Sequence, residues 1–381
     1  NGLARLNSDG SLDTDFVPPS SFSLDDVKLQ SDGKVLLVGP NRCQRLLSNG
    51  SLDATFTCSI TPITNQTPRV RNIGLQSDGK IILVGDFAKI NGVDAAGIVR
   101  LVENNRVSFD YDGDGRADVS VYRATENRWY LFRSSDNTVV ERFFGTSGDV
   151  VSPADYDGDG KTDIGIFRPS TGDWWYLSSI NNQQIQNHWG GSGDIPRPSD
   201  FDGDGKADFI VFRASENNWY RFGSTAGISV VNFGFAGDKP VSGDFDGDGK
   251  SDPAIFRPST GDWWYQSSIN GAQLATRWGI STDIPAPADY DGDGKTDFAV
   301  YRPSTGVWYI INSSNGSFTI MAFGISEDKP IPADYDGDGK ADIAVFRPST
   351  GIWYQMRSTA GFAAQQFGTS TDIPTPNSFV P

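Results

Sequence analysis

The nine residues Asp155-Tyr-Asp-Gly-Asp-Gly-Lys-Thr-Asp163 are one copy of a phrase that occurs six times, as Asp-aromatic-Asp-Gly-Asp-Gly-basic-x-Asp. The copies begin at Asp110, Asp155, Asp200, Asp244, Asp289 and Asp334, so the steps are 45, 45, 44, 45 and 45 residues. A constant step of this size marks a tandem repeat of one supersecondary unit. The phrase itself marks a loop built to gather oxygen ligands.

In the second copy the carboxylates are Asp155, Asp157, Asp159 and Asp163. Acids at alternate positions converge only if the chain curls tightly, which Gly158 and Gly160 allow because they accept positive φ. The carbonyl of Lys161, at position seven, adds a neutral oxygen. The equivalent ligand sets are Asp110, Asp112, Asp114, Arg116 and Asp118 in the first copy, and Asp200, Asp202, Asp204, Lys206 and Asp208 in the third. They are Asp244, Asp246, Asp248, Lys250 and Asp252 in the fourth, and Asp289, Asp291, Asp293, Lys295 and Asp297 in the fifth. The sixth has Asp334, Asp336, Asp338, Lys340 and Asp342. Hard oxygens in a flexible loop suit Ca²⁺ better than Mg²⁺, which demands strict octahedral geometry and keeps its waters. About six Ca²⁺ ions are expected. The loop starts like an EF-hand but lacks the glutamate at position twelve, where Phe167 stands close by. Without a cation, four carboxylates repel in six pairs, each by roughly 1 kcal/mol at about 4 Å even in water.

The formal charge of −16 argues against nucleic acid and anionic membrane surfaces as partners. Half of the 48 acidic residues are loop aspartates, and six Ca²⁺ ions would bring +12 and leave about −4. No apolar stretch approaches the roughly 20 residues of a membrane span, so membrane insertion is not expected. The chain begins at Asn1 and reads as a mature or trimmed form. Loops that need more calcium than the cytosol offers place the protein outside the cell, secreted or at the cell surface. Cys43 and Cys58, the only cysteines, either form one disulfide or remain two thiols.

Each calcium repeat reads as four short strands. In the second copy, Thr162 to Arg168 alternates apolar and polar residues, a Pro-Ser-Thr-Gly turn ends at Gly172, and strands follow near Trp174 to Ser178 and Ile185 to Trp189. The segment from Asp194 to Asp200 then leads into the next loop. Four strands in about 45 residues is the dimension of a β-propeller blade. No segment keeps a 3.6-residue apolar period, which excludes helical repeats. Residues 1–105 carry another unit, in which Leu29-Gln-Ser-Asp-Gly-Lys34 returns as Leu75-Gln-Ser-Asp-Gly-Lys80. Arg5 to Asp13 likewise returns as Arg45 to Asp53. Ser-Asp-Gly-Lys between alternating segments is a hairpin turn.

On these phrases the C-terminal residues, 106–381, resemble the FG-GAP or VCBS family of integrin-α-type repeats. Their Phe-Gly element stands at Phe144, Phe233, Phe323 and Phe367, and becomes Trp-Gly at Trp189 and Trp278. Residues 1–105 resemble the delta-sixty repeat of bacterial surface proteins. The resemblance implies an all-β fold of propeller blades, a secreted bacterial protein and an interaction role without a shared reaction.

Two N-terminal blades plus six calcium-loop blades predict one continuous eight-bladed propeller, with a six-bladed ring and a separate small domain as the alternative. Residues 1–16 read as a partial repeat, a spare hairpin that could latch the ring or complete a neighbouring molecule in a head-to-tail filament. Trp129, Trp174, Trp219, Trp263, Trp308 and Trp353 fall at equivalent second-strand positions and predict packing between blades. The doublets leave Trp175 and Trp264, beside Asp173 and Asp262, as candidate sugar-binding residues. The one histidine, His188, supplies no Ser-His-Asp or Cys-His set, and only five glutamates are present for acid–base work. The preferred expectation is a non-catalytic calcium-stabilised scaffold for adhesion or matrix assembly, with a protein or glycan partner. A glycan-binding lectin is the alternative, and a polysaccharide-active enzyme has the least support.

Overall fold

The computed structural model describes residues 3–379, apart from 8, 15, 20–22, 31–33, 47–49, 51, 53–55, 57, 64–65, 76–80, 92 and 102–106. The chain divides into two compact units, Asn1–Asn105 and Arg106–Pro381. Among the described residues no helix is long and apolar enough to cross a membrane.

In the first unit, Asp26–Leu29, Val35–Gly39 and Arg42–Leu46 form one antiparallel sheet. Arg69–Leu75, Ile81–Asp86 and Ile98–Leu101 form a second. The expected turns at Ser31-Asp-Gly33 and Ser77-Asp-Gly79 lie outside the described residues, but Leu29 pairs with Val35 and Leu75 with Ile81, as hairpins require. These sheets have three strands among the described residues, not the four expected of a blade. Leu36, Val38, Val70, Ile73, Ile81, Leu83 and Phe87 share one buried cluster. Cys43 and Cys58 are joined in a disulfide, which settles the choice left open by the sequence. Near the N-terminus Leu6 bridges Leu12, and Leu46 bridges Leu52 in the same way, as the internal repeat predicts. Phe16 and Leu3 pack with Val35, Leu37 and Leu46, so this hairpin segment rests on its own unit.

The second unit contains six four-stranded antiparallel sheets, the blades of a β-propeller. Blade 2 is typical: Val150–Val151, Ile164–Arg168, Asp173–Leu177 and Gln184–His188 lie side by side in that order. The aspartate loop joins its first strand to its second. The segment after each third long strand therefore opens the following blade: Ile195–Pro196 pairs with Phe209–Arg213, not with its own repeat. That offset leaves blade 1 one strand short, and the C-terminal strand Ile373–Pro374 fills the place against Val119–Arg123.

The ring closes with six blades. Each neighbouring pair shares a buried cluster, and one cluster holds Val119 and Val121 of blade 1 together with Ala344, Phe346 and Trp353 of blade 6. Residues 106–381 thus close by themselves with six blades, not the eight expected of one continuous ring, because their last strand completes blade 1. The physical reason is the offset between sequence repeat and sheet, which makes the two chain ends of residues 106–381 complementary.

Two fastenings recur in every blade. The indole N–H of each core tryptophan donates to the carbonyl of the Phe-Gly or Trp-Gly residue: Trp129 to Phe144 (3.1 Å), Trp174 to Trp189 (2.7 Å), Trp219 to Phe233 (3.2 Å). Trp263, Trp308 and Trp353 do the same at 2.8, 2.9 and 2.8 Å. All six are at most 1 % exposed, so the stripe is packing, as predicted. The second fastening is an ion pair in which a buried aspartate at the start of one strand accepts two bonds from an arginine at the end of the next, as Arg168 gives Asp149 at 2.8 and 2.8 Å. In blade 1 the acid comes from the far end of the chain, Asp372 pairing with Arg123.

Candidate metal centres

Each aspartate loop is held by its own backbone. In the second loop the Asp155 carboxylate accepts the amides of Gly158 (2.6 Å) and Gly160 (2.9 Å). Both glycines have positive φ, 87° and 91°, a conformation other residues adopt only under strain. The Asp163 carboxylate accepts the amides of Tyr156 (2.8 Å) and, from the far side of the blade, Ser179 (2.6 Å). Asp159 accepts the amide of Lys161 at 2.9 Å. These bonds recur in the other loops and offset part of the repulsion among the acids.

Carboxylate oxygens from three positions come within 4.8 Å of one another in most loops. Positions one, three and nine meet in Asp110, Asp112 and Asp118, in Asp155, Asp157 and Asp163, in Asp200, Asp202 and Asp208, and in Asp289, Asp291 and Asp297. In the fourth loop the group is Asp244, Asp246 and Asp248. Burial works against ionising such sets. It pushes Asp163 up to about 7, with repulsion from Asp157 adding to it, and it pushes Asp118 and Asp342 to about 7. Burial likewise carries Asp334 to about 6. Half-buried acids that cannot share ionisation unaided, arranged as hard oxygen donors, fit a metal cation.

The position-seven residues have a structural task beyond their carbonyls. A Cβ on Gly113 would stand 2.6 Å from Cε of Lys161, and one on Gly247 would stand 2.5 Å from Cε of Lys295. Lys206, Lys250, Lys340 and Arg116 lie over Gly158, Gly203, Gly292 and Gly337 in the same way. Each basic stem therefore covers the preceding loop. Backbone bonds follow the same circle: the amide of Thr162 donates to the Asp110 carbonyl (2.6 Å), Ala207 to Asp155 (2.7 Å) and Ser251 to Asp200 (2.7 Å). Thr296 donates to Asp244, Ala341 to Asp289 and Ala117 to Asp334, each at 2.6 Å. The six loops form one hydrogen-bonded ring.

Residues 110–166, 200–255 and 289–345 match the FG-GAP-like repeat. Each match spans two aspartate loops, so the three together contain all six. Residues 1–16 and 76–104 match a beta-propeller domain of unknown function, DUF5122. No curated protein matches the chain. Among solved structures, a catalytically inactive virginiamycin B lyase from Staphylococcus aureus, with quinupristin, is 10% identical, covering 83% of this chain and 90% of that one, with a TM-score of 0.43. A functionally unknown protein from Desulfotomaculum acetoxidans is 12% identical, covering 66% and 78%, with a TM-score of 0.40. Similarity at this level says nothing about chemistry.

Each aspartate loop is also met by a serine from later in its repeat, a residue that no motif of the sequence singled out. Ser134, Ser179, Ser224, Ser268, Ser313 and Ser358 each donate their amide to the position-nine aspartate, at 2.6 to 2.8 Å. The signal was available, since each serine stands 16 residues after that aspartate. The candidate sugar residues are placed differently. Trp175 is half-buried beneath Arg168, its ring 5.8 Å from the guanidinium, and Trp264 lies 5.7 Å from Arg257. The equivalent positions elsewhere are Tyr130, Tyr220, Tyr309 and Tyr354, which sit 4.3 to 4.5 Å from their arginines. Asp173 bonds to His188 at 2.9 Å, and Asp262 pairs across the sheet with Arg277. Trp175 lines a cavity of about 510 Å³ together with Arg168, Glu126 and Gln184, whereas Asp173 is not part of that lining.

Proposed function

We propose that this chain is a non-catalytic, calcium-stabilised β-propeller scaffold that acts outside the cell in adhesion or matrix assembly. The observation carrying this reading is the ring of six aspartate loops, each bonded to the next through backbone and covered by its neighbour's basic stem. Ca²⁺ fits the donor set because the ligands are flexible carboxylate oxygens, numerous and without nitrogen or sulfur. In each loop the aspartates at positions one, three, five and nine would hold the ion, with the position-seven carbonyl beside them. A bound ion supplies positive charge only, which lets the buried carboxylates ionise together. The protein's contribution is to set the curl through glycine amides and to brace each loop against the next.

The Cys43–Cys58 disulfide supports an oxidising compartment. A scaffold rather than an enzyme is supported by the occupation of the available acids and bases: His188 is tied to Asp173, Glu126 to Arg123 and Tyr130, and Glu141 to Arg128. The glycan-binding reading has one observation in its favour, the cavity beside Trp175. Equilibrium dialysis with ⁴⁵Ca²⁺ tests the main proposal. About six ions per chain are expected, and fewer than two would overturn it. For the filament reading, light scattering before and after removal of residues 1–16 decides: particles of unchanged size end it.

A further inference from the structure

The six blade interfaces are built to one plan, which makes each a control for the others. In the repeat, the second residue after the core tryptophan of one blade is matched with the third residue after the core tryptophan of the next, positions that pack together as Leu131 with Leu177 and as Ile310 with Met356. The pairs are Leu131 with Leu177, Tyr176 with Phe222, Tyr265 with Ile311, Ile310 with Met356 and Gln355 with Phe132. Between blades 3 and 4 the pair is Arg221 with Gln266. This is the one interface with polar residues on both sides. The residue after the position-nine aspartate departs as well: it is Val119, Ile164, Phe209, Phe298 or Ile343 elsewhere, and Pro253 in blade 4. Phe209 and Phe298 fill their interfaces by stacking on Tyr156 and Phe245, at 5.3 and 5.1 Å between ring centroids. Proline cannot fill that space, and a cavity of about 410 Å³ remains, lined by Arg221, Gln266 and Pro253.

The groups around this cavity are under-used. Gln266 Oε1 is buried with no hydrogen-bond donor. Ser268 Oγ is buried beside the Asp252 carboxylate but makes no well-aligned bond, whereas the hydroxyls of Ser134, Ser179, Ser224, Ser313 and Ser358 all bond to a loop aspartate. Arg221 lies over the Phe201 ring at 4.6 Å, its Nε donates to Ser229 at 3.1 Å, and the Asp208 carboxylate is near enough to act on its charge. Lys250 also lines the cavity, its stem lying over Gly203 of the preceding loop. Asp202, the one acid in the lining, is already tied to the Thr225 hydroxyl and the amides of Thr225 and Ala226.

We infer that the cavity between blades 3 and 4 binds a sugar carrying a carboxylate, a uronic acid residue. Two cations call for an anionic group, and an arginine fork matches a carboxylate in particular. The orphan Gln266 carbonyl calls for a hydroxyl donor, because a buried acceptor left unmade is costly. A pyranose ring bearing both fits the volume. Arg221, Gln266 and Pro253 are not loop ligands, whereas Asp202 and Lys250 of the lining belong to the third and fourth aspartate loops, so the rim of the site rests on the calcium reading and its inner wall does not.

Saturation-transfer NMR on the full chain in calcium buffer tests it, with methyl glucuronide against methyl glucoside, which differ at the carboxylate. The glucuronide is expected to bind at least about tenfold more tightly, the scale of one charge-assisted contact. The double variant Arg221→Leu/Gln266→Leu recreates the Leu131–Leu177 interface and should fold; it is expected to lose glucuronide binding with an unchanged or higher melting temperature. Equal signals from both sugars, no saturable signal, or binding that survives the double variant would overturn the proposal. Inorganic phosphate is the remaining arm: displacement of the glucuronide at equal concentration would show a bare anion site and overturn the sugar assignment.

Discussion

The two units are both made of repeats, 40 or 46 residues apart in the first and 44 or 45 in the second, yet they are fastened differently. Residues 1–105 contain no aspartate loop and are stapled by Cys43–Cys58. Residues 106–381 have no cysteine and are stapled in every blade by a tryptophan bond, a buried arginine–aspartate pair and a loop fit for a cation. The ion pairs differ in kind as well. Arg71–Asp86 in the first unit is well exposed on both sides, 57% and 44%, whereas Asp149, Asp194 and Asp372 in the second are at most 1% exposed. A repeat length is therefore compatible with quite different sources of stability. The chemistry at the strand junctions sets which one is used.

The largest way to test that contrast is to remove the cation. If the loops hold Ca²⁺ as proposed, at a hundredfold excess over the dissociation constant each site would contribute about 2.7 kcal/mol, and six sites together about 16 kcal/mol. Excess EGTA should lower the melting temperature of the second unit by roughly 20–30 °C. Hydrogen exchange should rise in segments 110–118 and 155–163 while Val35–Gly39 stays protected. A shift of less than about 3 °C would remove the metal from the account of stability.

The buried ion pairs come next. Arg123→Ala leaves the Asp372 carboxylate buried without its partner, at the seam where the two ends of the second unit meet. Loss of one partner of a buried pair costs about 3–5 kcal/mol. Arg71→Ala, in the exposed pair of the first unit, should cost less than about 1 kcal/mol. Equal losses in urea titrations of the two variants would erase the distinction. Reduction of Cys43–Cys58 follows, at about 3 kcal/mol for a loop of this length. Its effect should be confined to the first unit, read as faster exchange in Arg42–Leu46 with none at Trp129.

Much of the second unit was legible because the same information is written six times. The aspartate loops, the four-strand count and the buried tryptophan stripe all follow from residue type and spacing. Ring closure was not legible, because it depends on which sheet a two-residue strand joins. Ile195–Pro196 and Ile373–Pro374 are too short to carry a periodic signal, and their hydrogen bonds go to the next blade rather than to their sequence neighbours. The serine contributed to each loop was also missed, although it recurs, since its backbone amide acts and a side-chain motif does not reveal that. In the first unit two copies gave too little repetition to separate three strands from four.

The smallest effect concerns the tryptophan doublets, and it bears on what repeats of one plan may vary without loss. Trp175 takes the place that tyrosine holds in four of the six blades, stacked near the arginine that clasps the buried aspartate. Its indole nitrogen is buried without a hydrogen-bond partner, so the larger ring gains no polar contact here. Trp175→Tyr removes volume but keeps the aromatic face toward Arg168, and near-isosteric exchanges of this sort cost less than about 1.5 kcal/mol. Thermal melting of the variant should therefore fall within a few degrees of the parent. If glycan-array signals of the parent disappear in this variant while its melting point holds, Trp175 serves a ligand rather than the blade. If both persist, the doublet is a tolerated variant of the tyrosine–arginine stack, and variation between blades at that position is neutral, unlike the joint change at Arg221, Gln266 and Pro253.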